Sequence, residues 1–241
     1  MKHHLPNDFP DYLECEKHWV YCCLIAAAGW FGAYTYLLRG GVFCNAQTAN
    51  IVLLSMALGR GDWKGAAYLL VPITAYFAGA FCSEYLGKTV KRLHFLRWDT
   101  MLIGGEIVTV VLLGCLPGSV PHQITQITLN FLCSMQFNTF RQSEGIPAAT
   151  TFVTNHIRQV GANLAKYVRH RDAASAALVR THGSMILCFF LGGVASAIGC
   201  RLFSYRSLWG AAVILLAVFV KLVYADLSYE KNLLGRVPHG H

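Results

Sequence analysis

Long apolar stretches alternate with short polar ones along almost the whole chain. Six runs, roughly 19–38, 66–87, 100–117, 122–140, 183–203 and 207–224, are near the length a helix needs to cross a bilayer core. Two further runs break the pattern. Residues 44–59 are short, and residues 147–168 carry Asn155, His156, Arg158, Gln159 and Asn163. Each follows a lead-in suited to a turn before a helix, Gly40-Gly41 in one case and Gly145-Ile146-Pro147 in the other.

Composition decides what these runs are. Of 241 residues, 55% are hydrophobic and 13% charged, with mean hydropathy +0.43. A soluble domain carries about 25% charged residues, so the pattern reads as an all-α polytopic membrane protein with no room for a separate soluble domain. The excess of 20 Lys+Arg over 12 Asp+Glu fits the positive-inside bias of membrane proteins. A nucleic-acid partner is not expected, because no basic run is interleaved with stacking aromatics. Nine cysteines form no CxxC pair, so neither zinc nor a disulfide framework is indicated. His3, His4, His239 and His241 are tail residues with little metal-ligand potential, and the N-terminal segment lacks the pattern of a removable signal peptide.

The basic residues also choose a topology. With all eight runs crossing, the two sides carry 8 and 11 Lys/Arg, which is no clear bias. If the two irregular runs dip in and return, one side holds Lys2, Lys17, the four within 88–97, Arg141, Lys166, Arg169, Arg171, Arg180, Lys221, Lys231 and Arg236. That is 14, against 5 on the other side (Arg39, Arg60, Lys64, Arg201, Arg206). The asymmetry points to six transmembrane helices plus two re-entrant half-helices, with both termini cytoplasmic.

The irregular runs resemble each other. NAQTANIVLL (45–54) aligns with TTFVTNHIRQ (150–159) on Thr48 and Thr154, a spacing of 106. Gly79 matches Gly192 at 113, and Trp98 matches Trp209 at 111. The chain then divides into a tail (1–18), a first repeat of span, half-helix, span, span (19–117), a second repeat (122–224) and a tail (225–241). Three crossings per unit make this an inverted internal repeat, a recurrent plan of transporters. Ala75, Gly79, Ser83 and Gly87, and their counterparts Cys188, Gly192, Ser196 and Cys200, recur every four residues. Such faces let helices approach closely, either within one chain or in a homodimer.

GGVFCNAQTANIVLLSMALGRGDW (40–63) and SMQFNTFRQSEGIPAATTFVTN (134–155) carry a resemblance to the YoaK family, uncharacterised bacterial integral membrane proteins. Ala49 and Asn155 stand where that family prefers Gly, and Gly32 where Asp is common. The resemblance covers nearly the whole chain and implies the same membrane fold, in a bacterial inner membrane.

A helix that starts inside the membrane presents unpaired N–H groups and a positive dipole end, which attract anions or polar oxygens. Thr48 and Thr154 are the expected caps. Gln47, Asn50, Thr151 and Asn155 offer donors and acceptors, either to a solute or to the broken backbone itself. Glu106 is the expected proton-linked acid, and Arg158 its partner or the holder of an anion. Gln136 and Asn138 cannot share a helix face; one faces the site and the other a neighbouring helix. Glu84 is expected to pair Lys88 or Lys91, Arg39 and Arg141 to snorkel to the interface, and His156 to be a hydrogen-bonded structural residue. No nucleophile–base pair, phosphate loop or metalloprotease motif is present, so the chain does not read as an enzyme and needs no cofactor. The expected function is transport of a small polar or anionic solute through a central site formed by Gln47, Thr48, Asn50, Glu106, Gln136, Thr151, Thr154, Asn155 and Arg158. A passive channel of the same architecture and a non-transporting scaffold or sensor are the alternatives.

Overall fold

The computed structural model describes residues 11–90 and 96–239, with only the helical backbone of 88–90. Lys2, His3, His4, Lys91, Arg92 and His241, and the Lys88 side chain, lie outside the described residues. The regular structure of the described chain is helical apart from a hairpin of two two-residue strands: α1 (His18–Leu38), α2 (Gln47–Gly59), α3 (Trp63–Val90), α4 (Trp98–Cys115), α5 (His122–Thr139), β1 (Gln142–Ser143), β2 (Ile146–Pro147), α6 (Thr154–His170), α7 (Ala173–Phe203) and α8 (Trp209–Leu227). The matched Trp98 and Trp209 are the first residues of α4 and α8.

Among the described residues, four segments are long and apolar enough to cross a membrane: His18–Leu38, Trp63–Gly87, Trp98–Cys115 and Ala173–Leu227. The last contains both α7 and α8, joined by a 3-10 turn at Ser204–Leu208. The chain is therefore a multi-pass membrane protein. The run at 122–140 does form a helix, α5, but Gln123, Gln126, Asn130, Gln136 and Asn138 keep it out of the apolar group.

Two helix starts differ from those the sequence suggests. Residues 142–147 are taken by the hairpin, whose turn places Glu144 (φ 48°) and Gly145 (φ 79°) in the left-handed region. Helix α6 consequently begins at Thr154. Helix α7 begins well before 183, because Asp172 caps it: its Oδ1 accepts from the Ser175 N–H at 2.7 Å. That bond holds the Asp172 carboxyl below the usual carboxylate range. The alanine-rich first turns that follow are strong helix formers.

The helices pack in an interleaved way. α1 lies against α7 and α3 against α5, while α2 rests on α3, α6 on α7, and α4 on α8. Glycine permits the closest of these approaches. Gly192 sits on the Ala26 carbonyl, Gly29 on that of Phe189, and Gly79 on that of Phe131, each leaving no room for a Cβ. Ser196 Oγ donates to the Trp30 carbonyl at 2.9 Å, and Ser83 Oγ meets Thr139 Oγ1 at 2.9 Å. The small-residue faces are thus filled by contacts within the chain.

Arg39 does not snorkel. It is fully buried, with Nε donating to the Tyr34 hydroxyl at 3.3 Å and Nη2 to the Leu116 carbonyl at 3.1 Å. The Tyr205 ring lies 4.3 Å from its guanidinium carbon, so an aromatic face replaces water around the cation. Arg141 reaches Glu84 at 3.0 Å, and Asn138 Oδ1 at 2.8 Å, so Glu84 has a partner just past the end of α5; its expected pairing with Lys88 or Lys91 falls outside the described residues. At the start of α4, Arg97 Nε donates to Asp99 at 3.0 Å and its backbone N–H to Asp226 at 3.0 Å. The C-terminal segment closes over this end. Arg97 Nη1 donates to the Leu233 and Arg236 carbonyls, and His239 bonds Glu16 through both its N–H and Nδ1 at 2.7 Å.

Candidate functional site

The stretch Phe43–Ala46 is irregular, and its carbonyls need partners that a helix would otherwise supply. Asn50 Nδ2 donates to the Phe43 carbonyl at 2.7 Å and to Gln47 Oε1 at 3.3 Å. Gln47 Nε2 donates to Asn130 Oδ1 at 2.6 Å, and Asn130 Nδ2 to the Gln126 carbonyl at 2.7 Å. Asn45 Nδ2 ties the stretch to α1 through the Ala28 carbonyl at 2.9 Å. Asn50 therefore satisfies a carbonyl of the broken backbone, as membrane interiors require of irregular segments, while Asn45 and Gln47 tether the stretch to α1 and α5.

Capping is absent at both irregular helices. The residue before α2 is Ala46 and the residue before α6 is Val153, and neither helix start has a side-chain cap. Thr48 and Thr154 lie inside the first turns instead, so they do not cap. A cap must adopt non-helical backbone angles, and both threonines are already helical. The first N–H groups of α2 and α6 are left without a side-chain oxygen.

These two starts open on one cavity of about 520 Å³. Asn45, Ala46, Gln47 and Thr48 line it from α2's start, Phe152, Thr154, Asn155 and Arg158 from α6's start, and Tyr76 from α3. Arg158 donates to Asn155 Oδ1 through Nη2 at 2.9 Å and Nε at 3.3 Å. None of the lining residues is acidic. Two positive helix ends and one guanidinium thus share a volume without a carboxylate. Phe152 and Asn155 also border a neighbouring cavity of about 410 Å³ that reaches Asn138 and Arg141.

Gln47, Thr48, Thr154, Asn155 and Arg158 are brought together around this cavity, and four other candidates are not. Asn50 and Thr151 are buried and do not line the cavity. Gln136 is buried and donates to the Thr150 carbonyl at 3.4 Å, whereas Asn138 turns to Glu84 and Arg141. Glu106 is fully buried near Cys133, and among the described residues neither of its oxygens has a hydrogen-bond partner. Arg158 does not pair it, because Arg158 sits at the cavity with Asn155 as its acceptor.

Sequence reasoning missed Tyr76, Asn130 and His182. The spacing of Gln126 and Asn130, one turn apart on α5, was the available signal for the second. His156 is not alone: its Nδ1 lies 2.9 Å from His182 Nδ1, and its Nε2 lies 2.8 Å from the Ala149 carbonyl. The hydrogen-bonded role expected of it holds, with an unforeseen partner. All nine cysteines are free, and among the described residues no group of three metal-ligating side chains occurs.

The model of one protein family, described as Protein of unknown function (DUF1275), matches residues 20–221. No curated protein and no solved structure matches the chain.

Proposed function

The chain belongs to that family of unknown function, and from its own geometry we propose that it is a membrane transporter of a small polar or anionic solute. The observation that carries this reading is the cavity shared by two uncapped helix starts and Arg158, with no acidic residue in its lining. Such a volume favours an oxyanion, which backbone N–H groups and a guanidinium can hold together.

The architecture we propose is six spans and two re-entrant half-helices, α2 and α6, in an inverted repeat. The packing supports it. Exchanging α1–α4 with α5–α8 turns the α1–α7 contact into α5–α3, turns α2–α3 into α6–α7, and returns α4–α8 to itself. In this reading α1–α4 form one half of the transporter and α5–α8 the other. The protein resides in a bacterial inner membrane with both termini cytoplasmic.

Uptake of nitrate, formate and phosphate into proteoliposomes tests the reading. Arg158→Gln removes a charged hydrogen-bond donor and should lower uptake by about tenfold or more. Uptake by no anion in the panel, with no ligand-induced rise in melting temperature, would make the protein a scaffold or sensor. Uptake that ignores a pH gradient and survives Glu106→Gln marks a passive channel.

A further inference from the structure

The His156–His182 pair has an assignable proton arrangement. A carbonyl oxygen only accepts, so His156 donates from Nε2 to Ala149 and presents a bare Nδ1. His182 must then donate from its Nδ1 across the 2.9 Å contact, which leaves the lone pair of the dyad on His182 Nε2. A proton taken up there keeps the bridging bond and makes it charge-assisted. A second proton would place two donors face to face and break it. The dyad therefore holds one exchangeable proton, and its rings are buried, at 0% and 1% exposure.

Its position links it to the cavity. His156 stands in the first turn of α6, two residues before the cavity-lining Arg158, and it fixes that turn to α7 and to the Ala149 loop. Arg158 from α6 and His18 from α1 are the charged or titratable groups that act on His182. The Nε2 of His18 is engaged: Ser184 Oγ donates to the Thr181 carbonyl and so accepts from His18 Nε2 at 2.9 Å.

We propose that the His156–His182 dyad is a proton-binding site coupled through Arg158 to an anion in the adjacent cavity. The proposal rests on the transport reading for the anion's place. An anion at Arg158 cancels the repulsion between that cation and an imidazolium at His182, so proton and anion favour each other's binding, as linkage requires. Movement of both together is then symport.

Full-length protein with 15N-labelled histidine, in nanodiscs, gives the direct test by NMR. A nitrogen–nitrogen coupling across the Nδ1 contact is expected. The pH at which the dyad takes up its proton should rise by about one unit, tenfold in affinity, when nitrate replaces gluconate. Arg158→Gln should abolish that rise. His182→Gln keeps an amide donor for His156 while removing the titration, and should make nitrate uptake into proteoliposomes independent of the pH gradient. An absent coupling, a midpoint indifferent to nitrate, or pH-driven uptake that persists in His182→Gln and is lost in Glu106→Gln overturns the proposal. A nitrate-dependent midpoint without any uptake leaves the coupled site standing and removes the transport reading instead.

Discussion

Neighbouring polar residues at the start of α2 have different work. Asn50 satisfies the Phe43 carbonyl, whereas Thr48 is exposed on the cavity wall. Asn50→Ala should therefore lower stability by about 1–3 kcal/mol, the cost of an orphaned buried carbonyl, seen as a fall in melting temperature. Thr48→Ala should leave the melting temperature unchanged and alter solute uptake instead. Arg39→Lys should destabilise by about 2 kcal/mol, because an ammonium lacks the flat face that stacks on Tyr205; denaturant titration in detergent measures it. Residue type announced the polar cluster but not this division. Whether threonine caps depends on backbone angles one residue away, and Arg39 looked interfacial because the ring that covers it comes from the far end of the sequence.

At the scale of elements, the small-residue period in α3 and α7 was legible, and so was the existence of all eight helices. Partners were not, because a stripe of glycine and serine says only that something comes close. Gly192 lies against the Ala26 carbonyl, while Gly183 on the same helix has open space around it. Gly192→Val should thus push α7 off α1 and destabilise by about 3 kcal/mol, whereas Gly183→Ala should stabilise by about 0.5–1 kcal/mol. Thermal melts of the two variants side by side check the α1–α7 seam. The hairpin at Gln142–Pro147 was hidden for a different reason. Its turn puts Glu144, a residue with no special turn preference, at positive φ beside Gly145, and two-residue strands carry no periodicity.

For the whole molecule, a helical chain with several membrane spans was legible from the apolar runs, while charge asymmetry and repeat spacing suggest the proposed arrangement without saying which helix meets which. The proposed topology puts Asp62 and Asp172 on opposite faces of the membrane. Single cysteines at these two positions, in a background lacking the native nine, should label from opposite sides in oriented vesicles; labelling from one side would end the re-entrant arrangement. The interleaved packing has its own consequence during synthesis. A ribosome delivers α1 and α3 well before α7 and α5, so early in translation each has a groove whose occupant has not yet been made. Ala26 and Gly29 wait for Phe189 and Gly192, and Gln47 waits for Asn130. A chain stopped near residue 120 should fail to accumulate and be degraded, and co-expressing the missing half should rescue it, since only the second half supplies what the first was built to hold.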